Sequence, residues 1–377
     1  MNHIMETKSN LKELVPFKAT HPGSIIADEL EYLGYKHNEF AKLIGMQSTH
    51  FSSLLKGRRS LSPDIALKIE LHTDLQAEQL MALQSKYELD CKRIAKREIE
   101  DSMAKTKLAE ISAIINIPLL VRDNHIKTNH AKDILNFFEH KYLKSYEIIR
   151  SIENNLYGYF KKSNKTIIDE RNLKTWLLLA INKINQDVIE ETYSEGNAEL
   201  AANEIAHFTN SGKISVNDIE TILKKYGIKF CHVKKLNQVP VDAFSTMTSH
   251  GNPAIVATYR HNDMNKLVFD ILHELGHITL HMSVGKSFIK IGDELSSDEY
   301  ELEADAFARD ILIAPNVWKA IMRSGSKLLE SLDFHRIVNS VAKVAKENGI
   351  NPTIAVSRYK RESGQYNISR YRSPAIH

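Results

Sequence analysis

The chain has few cysteines, no excess of charge of either sign and no long apolar run. Its 377 residues include two cysteines, Cys91 and Cys231, which lie far apart and form no CxxC pair. This usage is typical of reduced thiols in a cytoplasmic protein, and it leaves histidine and carboxylate side chains as ligands for any metal. Lys and Arg total 50 against 47 Asp and Glu, so any DNA binding must come from a local cluster of positive charge.

Segments that enter or cross a membrane are also missing. Residues 1–10 are polar and lack the apolar core of a signal peptide. The longest apolar stretches, such as residues 176–181, are far too short to span a bilayer. We therefore expect a cytoplasmic protein with no membrane partner. A chain of 377 residues also exceeds what one compact core usually organises, which favours two or three domains.

Hydrophobic periodicity divides the chain into three predicted domains and indicates a mostly α fold class. Residues 1–89 contain short apolar repeats of helical spacing separated by glycines, which predict a small all-α domain. Residues 90–209 remain helical in pattern, and we interpret them as a connector or middle domain whose basic start is a solvated helix face. Residues 210–377 begin with β-branched runs and continue with helices, which predicts an α+β domain with a small sheet. The predicted strands are residues 228–233, 243–248 and 254–259.

One helix of the third domain carries two histidines at metal-binding spacing. Residues 264–281 place their apolar side chains on one stripe, and His273 and His277 project from the opposite side one turn apart. Two imidazoles so placed can converge on a single cation. Glu274 lies about 100° further around the helix, which suits a base that takes a proton from water without ligating the metal. The HExxH pattern alone also occurs by accident, and the alternative is two histidines on a surface helix.

The next predicted helix supplies a third ligand. Open catalytic zinc sites use three protein ligands and leave one position for water. Glu301 and Glu303 differ by about 200° around this helix, so only one of them can face the metal. Glu301 shares its face with Ala304 and Ala308, which permit close packing, and with Asp305, which can orient a ligand histidine through its second nitrogen. We therefore predict Glu301 as the ligand and keep Glu303 as the alternative.

Other residues near the motif have roles that the pattern leaves open. His281, one turn beyond His277, fits a supporting role better than ligation. Asp270 is either a supporting residue or a solvated one. The predicted strand at 254–259 is expected to be an edge that pairs with an extended peptide. The candidates for the stabiliser of the oxyanion are Tyr259, Tyr300, His335 and Tyr359.

Three segments together resemble the ImmA/IrrE group of gluzincin-like metallopeptidases. They are HELGHITLH at 273–281, ELEADAFA at 301–308 and residues 311–315. The resemblance covers roughly residues 200–360 and implies a zinc-dependent endopeptidase, with Mn²⁺ as the alternative metal, whose usual targets are DNA-binding repressors. The residues it implies are His273, His277 and Glu301 as ligands and Glu274 as general base.

The first domain contains a predicted helix-turn-helix. Residues 38–44 and 47–56 form two helices joined at Gly45, and the small side chain of Ala41 allows them to cross closely. The second of these helices would enter the major groove, where Gln47 can read adenine with two hydrogen bonds. The alternative is an interaction module without DNA affinity. The predicted DNA contacts are Gln47, Ser48, Thr49 and Ser52, with Lys56, Arg58 and Arg59 just beyond them on phosphates.

Residues 17–89 are similar to HigA-like antitoxins of the XRE repressor class. The similarity lies in HPG at 21–23, residues 39–45, LKGRR at 55–59 and residues 62–67. It implies a homodimer on a palindromic double-stranded DNA operator. The combined prediction is a DNA-binding transcriptional regulator whose peptidase cleaves a repressor, a partner or itself. One alternative is a non-enzymatic antitoxin whose C-terminal domain only binds metal or toxin, and another is a peptidase whose N-terminal module only recruits partners.

Overall fold

The computed structural model describes residues 15–152, 168–186, 188–212, 214–282, 297–326, 334–364 and 371–376. Within these residues the chain is mostly helical with one three-stranded sheet, which confirms the predicted fold class. In the described part of the chain, no helix is both long and apolar enough to cross a bilayer. The chain divides into two compact units, Met1–Ala109 with His130–Leu135 and Glu110–Asn129 with Asn136–His377.

Short helices separated by glycine turns open the first unit. They are α1 Pro22–Tyr32, α2 His37–Leu43, α3 Ser48–Leu55 and α4 Pro63–Glu70, followed by the long α5 Ala77–Ile114. The His21 side chain caps α1 by accepting from the Gly23 amide at 2.9 Å, and the Ser62 hydroxyl caps α4 by accepting from the Ile65 amide. Gly45 follows α2 with φ of 70°, a conformation that residues with a Cβ rarely adopt.

An apolar core holds these short helices together. Ala41 is fully buried between α2 and α3, as predicted for the small residue at a close crossing. Phe40 and Phe51 are fully buried beside it, with ring centroids 5.6 Å apart, and Leu54 completes the buried face of α3. The burial of large apolar side chains is the main force that stabilises this arrangement.

Helix α5 runs through the predicted domain boundary at residues 89–90. Asp90 is buried on this helix and pairs with Lys86 at 2.6 Å and with Arg93 at 3.3 Å. Part of the basic run is therefore engaged in ion pairs along one helix. The division into three functional domains stays a prediction.

After α5 the chain continues with helices, a small sheet and further helices, which belong to the second unit except for His130–Leu135. The helices after α5 and before the sheet are α6 Ile117–Arg122, α7 Ala131–Ile152, α8 Glu170–Ile184, α9 Asn197–Asn210 and α10 Val216–Lys225. The strands are β1 Lys229–His232, β2 Ala243–Met247 and β3 Pro253–Ala257. The helices that follow are α11 Met264–Leu280, α12 Ser297–Leu312, α13 Pro315–Ser326, α14 Phe334–Glu347 and α15 Pro352–Ser363.

The strand order is β1–β3–β2, with β3 parallel to β1 and antiparallel to β2. All five residues of β3 are buried. The prediction that residues 254–259 form a substrate-pairing edge is therefore wrong, because β3 is paired on both sides. A continuous buried apolar run is the usual pattern of a central strand. Among the described strands, β2 is the edge strand that also packs against α11.

Helix α11 lies at the centre of the second unit's core. Its apolar stripe, including Ile271, Leu272 and Leu275, is fully buried, as the helical period predicts. A Cβ added at Gly276 would lie 3.1 Å from the Cα of Ala304, so glycine at this position allows α12 to approach α11 closely. Ala304 and Ala308 are fully buried, which confirms the predicted role of the small residues of α12.

Candidate metal centre

Two histidines of α11 and one glutamate of α12 converge on a single point. The Nε2 atoms of His273 and His277 are 3.1 Å apart. Nε2 of His273 lies 3.3 Å from Oε2 of Glu301, and Nε2 of His277 lies 3.5 Å from Oε1 of the same carboxylate. These three residues form the group of potential metal ligands found within the described residues. The structure thus brings together all three of the predicted ligands.

The spacing of these atoms fits a tetrahedral ion. Metal–ligand bonds of about 2.0–2.2 Å at tetrahedral angles separate neighbouring ligand atoms by about 3.3–3.6 Å. The two Nε2 atoms and the nearest Glu301 oxygen of each, which are the two different oxygens of the carboxylate, lie at similar distances. Two imidazoles and one carboxylate are also the donor set of open zinc sites, whereas manganese favours a set richer in oxygen. The residues present therefore fit zinc better than the alternative metal.

Asp305 supports the first histidine. Its Oδ1 atom lies 2.9 Å from Nδ1 of His273, as predicted, and Arg361 lies 3.4 Å from the other carboxylate oxygen. Burial alone would lower the pKa of His273, but the hydrogen bonds with Asp305 and Glu301 outweigh it and raise the pKa to about 10. The surrounding carboxylates therefore favour positive charge at this point, whether it is carried by an imidazolium or by a metal ion.

His281 and Glu303 together support the second histidine, His277. Nδ1 of His277 lies 3.0 Å from Nδ1 of His281, and Nε2 of His281 lies 2.9 Å from a carboxylate oxygen of Glu303. Burial lowers the pKa of His281 and favours its neutral form. Glu303, the alternative ligand predicted from the sequence, thus contacts His281, whereas Glu301 faces His273 and His277.

Glu274 is buried beside the ligand histidines and is held by the sheet. Ser245 on β2 donates its hydroxyl hydrogen to Oε2 of Glu274 at 2.5 Å. This contact leaves the second carboxylate oxygen of Glu274 for another partner. Because Ser245 belongs to the edge strand, the candidate base and the edge of the sheet lie side by side. Nothing in the local pattern of Ser245 indicated this contact, because it joins residues 29 positions apart.

One turn before Glu274, a cluster of half-buried charged residues lies along the same helix. Lys266 contacts Asp270 at 3.0 Å and Asp242 at 2.9 Å, and Arg260 contacts Asp242 at 2.7 Å. Burial raises the pKa of Asp270 to about 6 despite its ion pair with Lys266. Of the two roles considered for Asp270, its ion pair with Lys266 favours the supporting one, and the cluster fixes α11 against the loop before β2.

The four candidates for the oxyanion stabiliser differ in position. The ring of Tyr300 lies 4.5 Å from that of His281, so Tyr300 is next to the candidate metal centre. Tyr259 instead stacks on His232 of β1 at 4.1 Å, on the strand at the opposite edge from β2. Tyr359 is buried in the apolar core, and His335 is exposed on α14. These positions favour Tyr300 among the four.

The predicted DNA contacts lie in the first unit. Gln47 immediately precedes α3, and Ser48 and Thr49 begin it; all three are exposed, whereas Ser52 is half-buried. The three cations beyond the helix, Lys56, Arg58 and Arg59, are exposed as well. The surface of α3 is therefore accessible, and its role in binding DNA stays a prediction.

A buried HExxH helix, supported by a carboxylate from the next helix, is the arrangement of a metallopeptidase-type domain. Residues 223–331 match the model of the IrrE N-terminal-like domain, the Peptidase_M78 family. This match covers less than a third of the chain and contains β1–β3, α11 and the three candidate ligands. It supports the ImmA/IrrE part of the predicted resemblance and a metallopeptidase-type enzyme.

A shorter similarity links the chain to one curated protein. Over 70 residues it is 34% identical to "Virulence-associated protein A'" of Dichelobacter nodosus. The matched region is 18% of this chain and 61% of that protein, so the chain spans less than two thirds of the relative's length. No solved structure matches the chain.

Proposed function

We propose that this protein is a DNA-binding transcriptional regulator with a zinc-dependent endopeptidase in its second unit, which cleaves a regulatory protein: a repressor, a partner or the chain itself. The observation that carries the peptidase is the convergence of His273, His277 and Glu301, whose potential ligand atoms lie within 4.8 Å of one another. The match of residues 223–331 to a peptidase family supports it independently of that geometry.

In this proposal the metal ion, Glu274 and Ser245 have separate roles in peptide hydrolysis. Zinc, when bound, supplies a Lewis acid that polarises a carbonyl group and activates water at neutral pH. Glu274 accepts the proton from the attacking water on its free carboxylate oxygen and passes it to the leaving amine. Ser245 holds the other oxygen at 2.5 Å, so the carboxylate keeps one orientation during the transfer.

The substrate strand pairs with β2 in this proposal. Within the described residues β2 has one neighbour in the sheet, β3, so its other edge can offer backbone donors and acceptors to an extended peptide. Ser245 on β2 contacts Glu274, so a peptide paired with this edge would pass the general base. Strand β3, which the sequence favoured for this role, is already paired on both sides.

The DNA-binding role is supported by the polar and cationic surface at α3. Gln47, Ser48 and Thr49 are exposed at the start of α3, where a recognition helix contacts base edges. Arg58 and Arg59 follow the helix and can reach the phosphates. A homodimer on a palindromic operator would place two such surfaces on one face of the DNA.

The peptidase proposal is tested with Glu274→Gln, which retains the shape of the side chain and removes its basicity. Protein N-termini are compared by mass spectrometry in cells that express the wild type or the variant. We expect new N-termini that require the wild type, with a rate loss of about 10²–10⁴-fold in the variant. Both proteins should bind zinc equally, because Glu274 is not among the candidate ligands.

Identical sets of N-termini, with zinc bound in both proteins, would exclude the peptidase. A retained DNA footprint in that case would favour the alternative function, a non-enzymatic antitoxin or repressor. For DNA binding itself, the paired variant Gln47→Ala and Arg58→Ala should abolish the footprint on the preferred operator. A footprint that survives this double substitution would contradict the assignment of α3 to the major groove.

A further inference from the structure

We infer that Glu303 and His281 are positioning residues that select the tautomer in which His277 can bind metal. The inference rests on the proposed metal centre and adds a role for two residues outside the ligand set. It stands on two contacts, the 3.0 Å distance between the Nδ1 atoms of His277 and His281 and the 2.9 Å distance from His281 to Glu303.

The assignment of hydrogens follows from what each atom can do. An ionised carboxylate only accepts hydrogen bonds, so the contact with Glu303 requires a hydrogen on Nε2 of His281. A neutral His281 then carries a lone pair on Nδ1, because only one of its two nitrogens is protonated. The short contact between the two Nδ1 atoms therefore needs its hydrogen from His277.

This assignment leaves Nε2 of His277 without a hydrogen. That atom lies 3.1 Å from Nε2 of His273 and 3.5 Å from Glu301, on the side of the candidate metal position. Its lone pair is thus directed to the position that a metal ion would occupy. The opposite tautomer of His277 would place a hydrogen there and would have to be reversed before the ion could bind. Hydrogen bonding of the second ring nitrogen is the general way in which proteins orient a ligand histidine.

The surroundings of His281 fix its ring. Its side chain is only 8% exposed, its backbone amide donates to the carbonyl of His277 at 2.9 Å, and the ring of Tyr300 packs edge-on against it. The side chain of Glu303, in contrast, is 54% exposed. The two ligand histidines therefore have different supports: Asp305 contacts His273 directly, whereas Glu303 acts on His277 through a second imidazole.

The test measures zinc affinity, which requires no substrate. Competition with a fluorescent chelator compares the wild-type chain with Glu303→Ala, Glu303→Lys, His281→Ala and His281→Asn. We expect a loss of about 10-fold for Glu303→Ala and of about 10–100-fold for His281→Ala, the usual range for residues that support a metal ligand. His281→Asn should recover much of the affinity, because its amide oxygen can accept from Nδ1 of His277.

Reversing the charge at position 303 tests whether Glu303 acts by selecting the tautomer of His277 or only through its negative charge. In Glu303→Lys the new ammonium donates to Nε2 of His281, which forces the hydrogen onto Nδ1 and opposes the donor of His277. Glu299→Lys, at an exposed position one turn earlier on α12, adds the same charge as a matched control. We expect Glu303→Lys to lose more affinity than both Glu299→Lys and Glu303→Ala.

The outcomes distinguish this inference from the proposed function. Unchanged affinity in Glu303→Ala and His281→Ala, with native circular dichroism, would overturn the positioning role and leave the peptidase intact. The same holds if Glu303→Lys and Glu299→Lys behave alike. If affinity falls as expected but the wild type produces no new N-termini, the positioning role stands and the peptidase fails. A wild-type chain that binds no zinc would overturn both.

Discussion

The two units of this protein use polar residues in opposite ways. In the second unit Glu274 is buried, and the half-buried His273 and Asp270 each contact a charged side chain, Asp305 and Lys266 respectively. In the first unit the candidate functional residues, such as Gln47 and Arg58, are exposed over an apolar core. Internal geometry can therefore identify a catalytic centre, whereas a binding surface is defined only together with its partner.

The largest expected effect is on zinc affinity, and it should distinguish the candidate ligand Glu301 from Glu303 on the same helix. Glu301→Ala removes a candidate ligand, so zinc affinity should fall by more than about 100-fold, beyond the range for a supporting residue. Glu303→Ala should cost less, because Glu303 contacts His281 and does not reach the centre. Isothermal titration of both variants with zinc provides the measurement. An equal loss in the two variants would contradict the choice of Glu301.

The close packing of α11 and α12 should be sensitive to one added side chain. A Cβ at Gly276 would meet the Cα of Ala304 at 3.1 Å and Phe307 at 3.2 Å, so Gly276→Val should destabilise the second unit by about 1–3 kcal/mol. Urea unfolding measures this difference. Leu280→Val introduces the same side chain at an exposed site of α11 and should change stability by less than about 1 kcal/mol. Equal effects would show that the two helices do not cross closely at Gly276.

Half-buried and exposed ion pairs provide the next comparison between the units. Burial would raise the pKa of Asp242, but Lys266 and Arg260 outweigh it and lower the pKa below 3.8. Asp242→Asn should therefore cost about 1–2 kcal/mol at neutral pH, where the charged carboxylate pairs with Arg260 and shares Lys266 with Asp270. The exposed pair of Lys36 and Glu39, 3.6 Å apart, should contribute less than about 1 kcal/mol in Glu39→Gln.

The stability difference between the wild type and Asp242→Asn should decrease as the pH falls. A lowered pKa in the folded state means that ionised Asp242 stabilises the fold at pH values above 3.8, the ordinary value of the carboxyl group. The stabilisation is lost as the pH falls through the lower folded value. Stability curves of the wild type and Asp242→Asn should therefore converge in acid. Curves that remain parallel down to acidic pH would contradict the ion-pair account.

The smallest effects are expected at the helix caps. Asp263 accepts from the Lys266 amide at 2.9 Å at the start of α11, whereas Ser62 accepts from the Ile65 amide at 3.4 Å at the start of α4. Asp263→Ala should cost about 1 kcal/mol and Ser62→Ala about 0.5 kcal/mol. Thermal unfolding of the two variants checks both values. The reverse order would show that cap distance does not govern these contributions.

Local features of the structure followed from the sequence where neighbours in the chain decide them. The helical stripe of α11, the choice of Glu301 over Glu303 towards the histidines, and the close packing at Ala304 and Ala308 are consequences of helical angles and side-chain size. The contact of Asp305 with His273 also followed from its place on the face of Glu301.

Features that depend on tertiary pairing were missed. Strand β3 lies in the centre of the sheet because β1 and β2 pair on its two sides, which no property of residues 254–259 alone reveals. Ser245 reaches Glu274 across 29 residues. The continuous helix α5 passes residue 89, where the first predicted domain ends.

Zinc content tests the central claim most directly. The wild-type chain and His277→Ala are purified side by side, exposed to equal zinc, desalted and analysed by plasma mass spectrometry. Since His273, His277 and Glu301 are assigned as the ligands, we expect about one zinc per wild-type chain and a strong loss in His277→Ala, with the fold of both confirmed by circular dichroism. Equal zinc in the two proteins, or none in the wild type, would contradict the assignment.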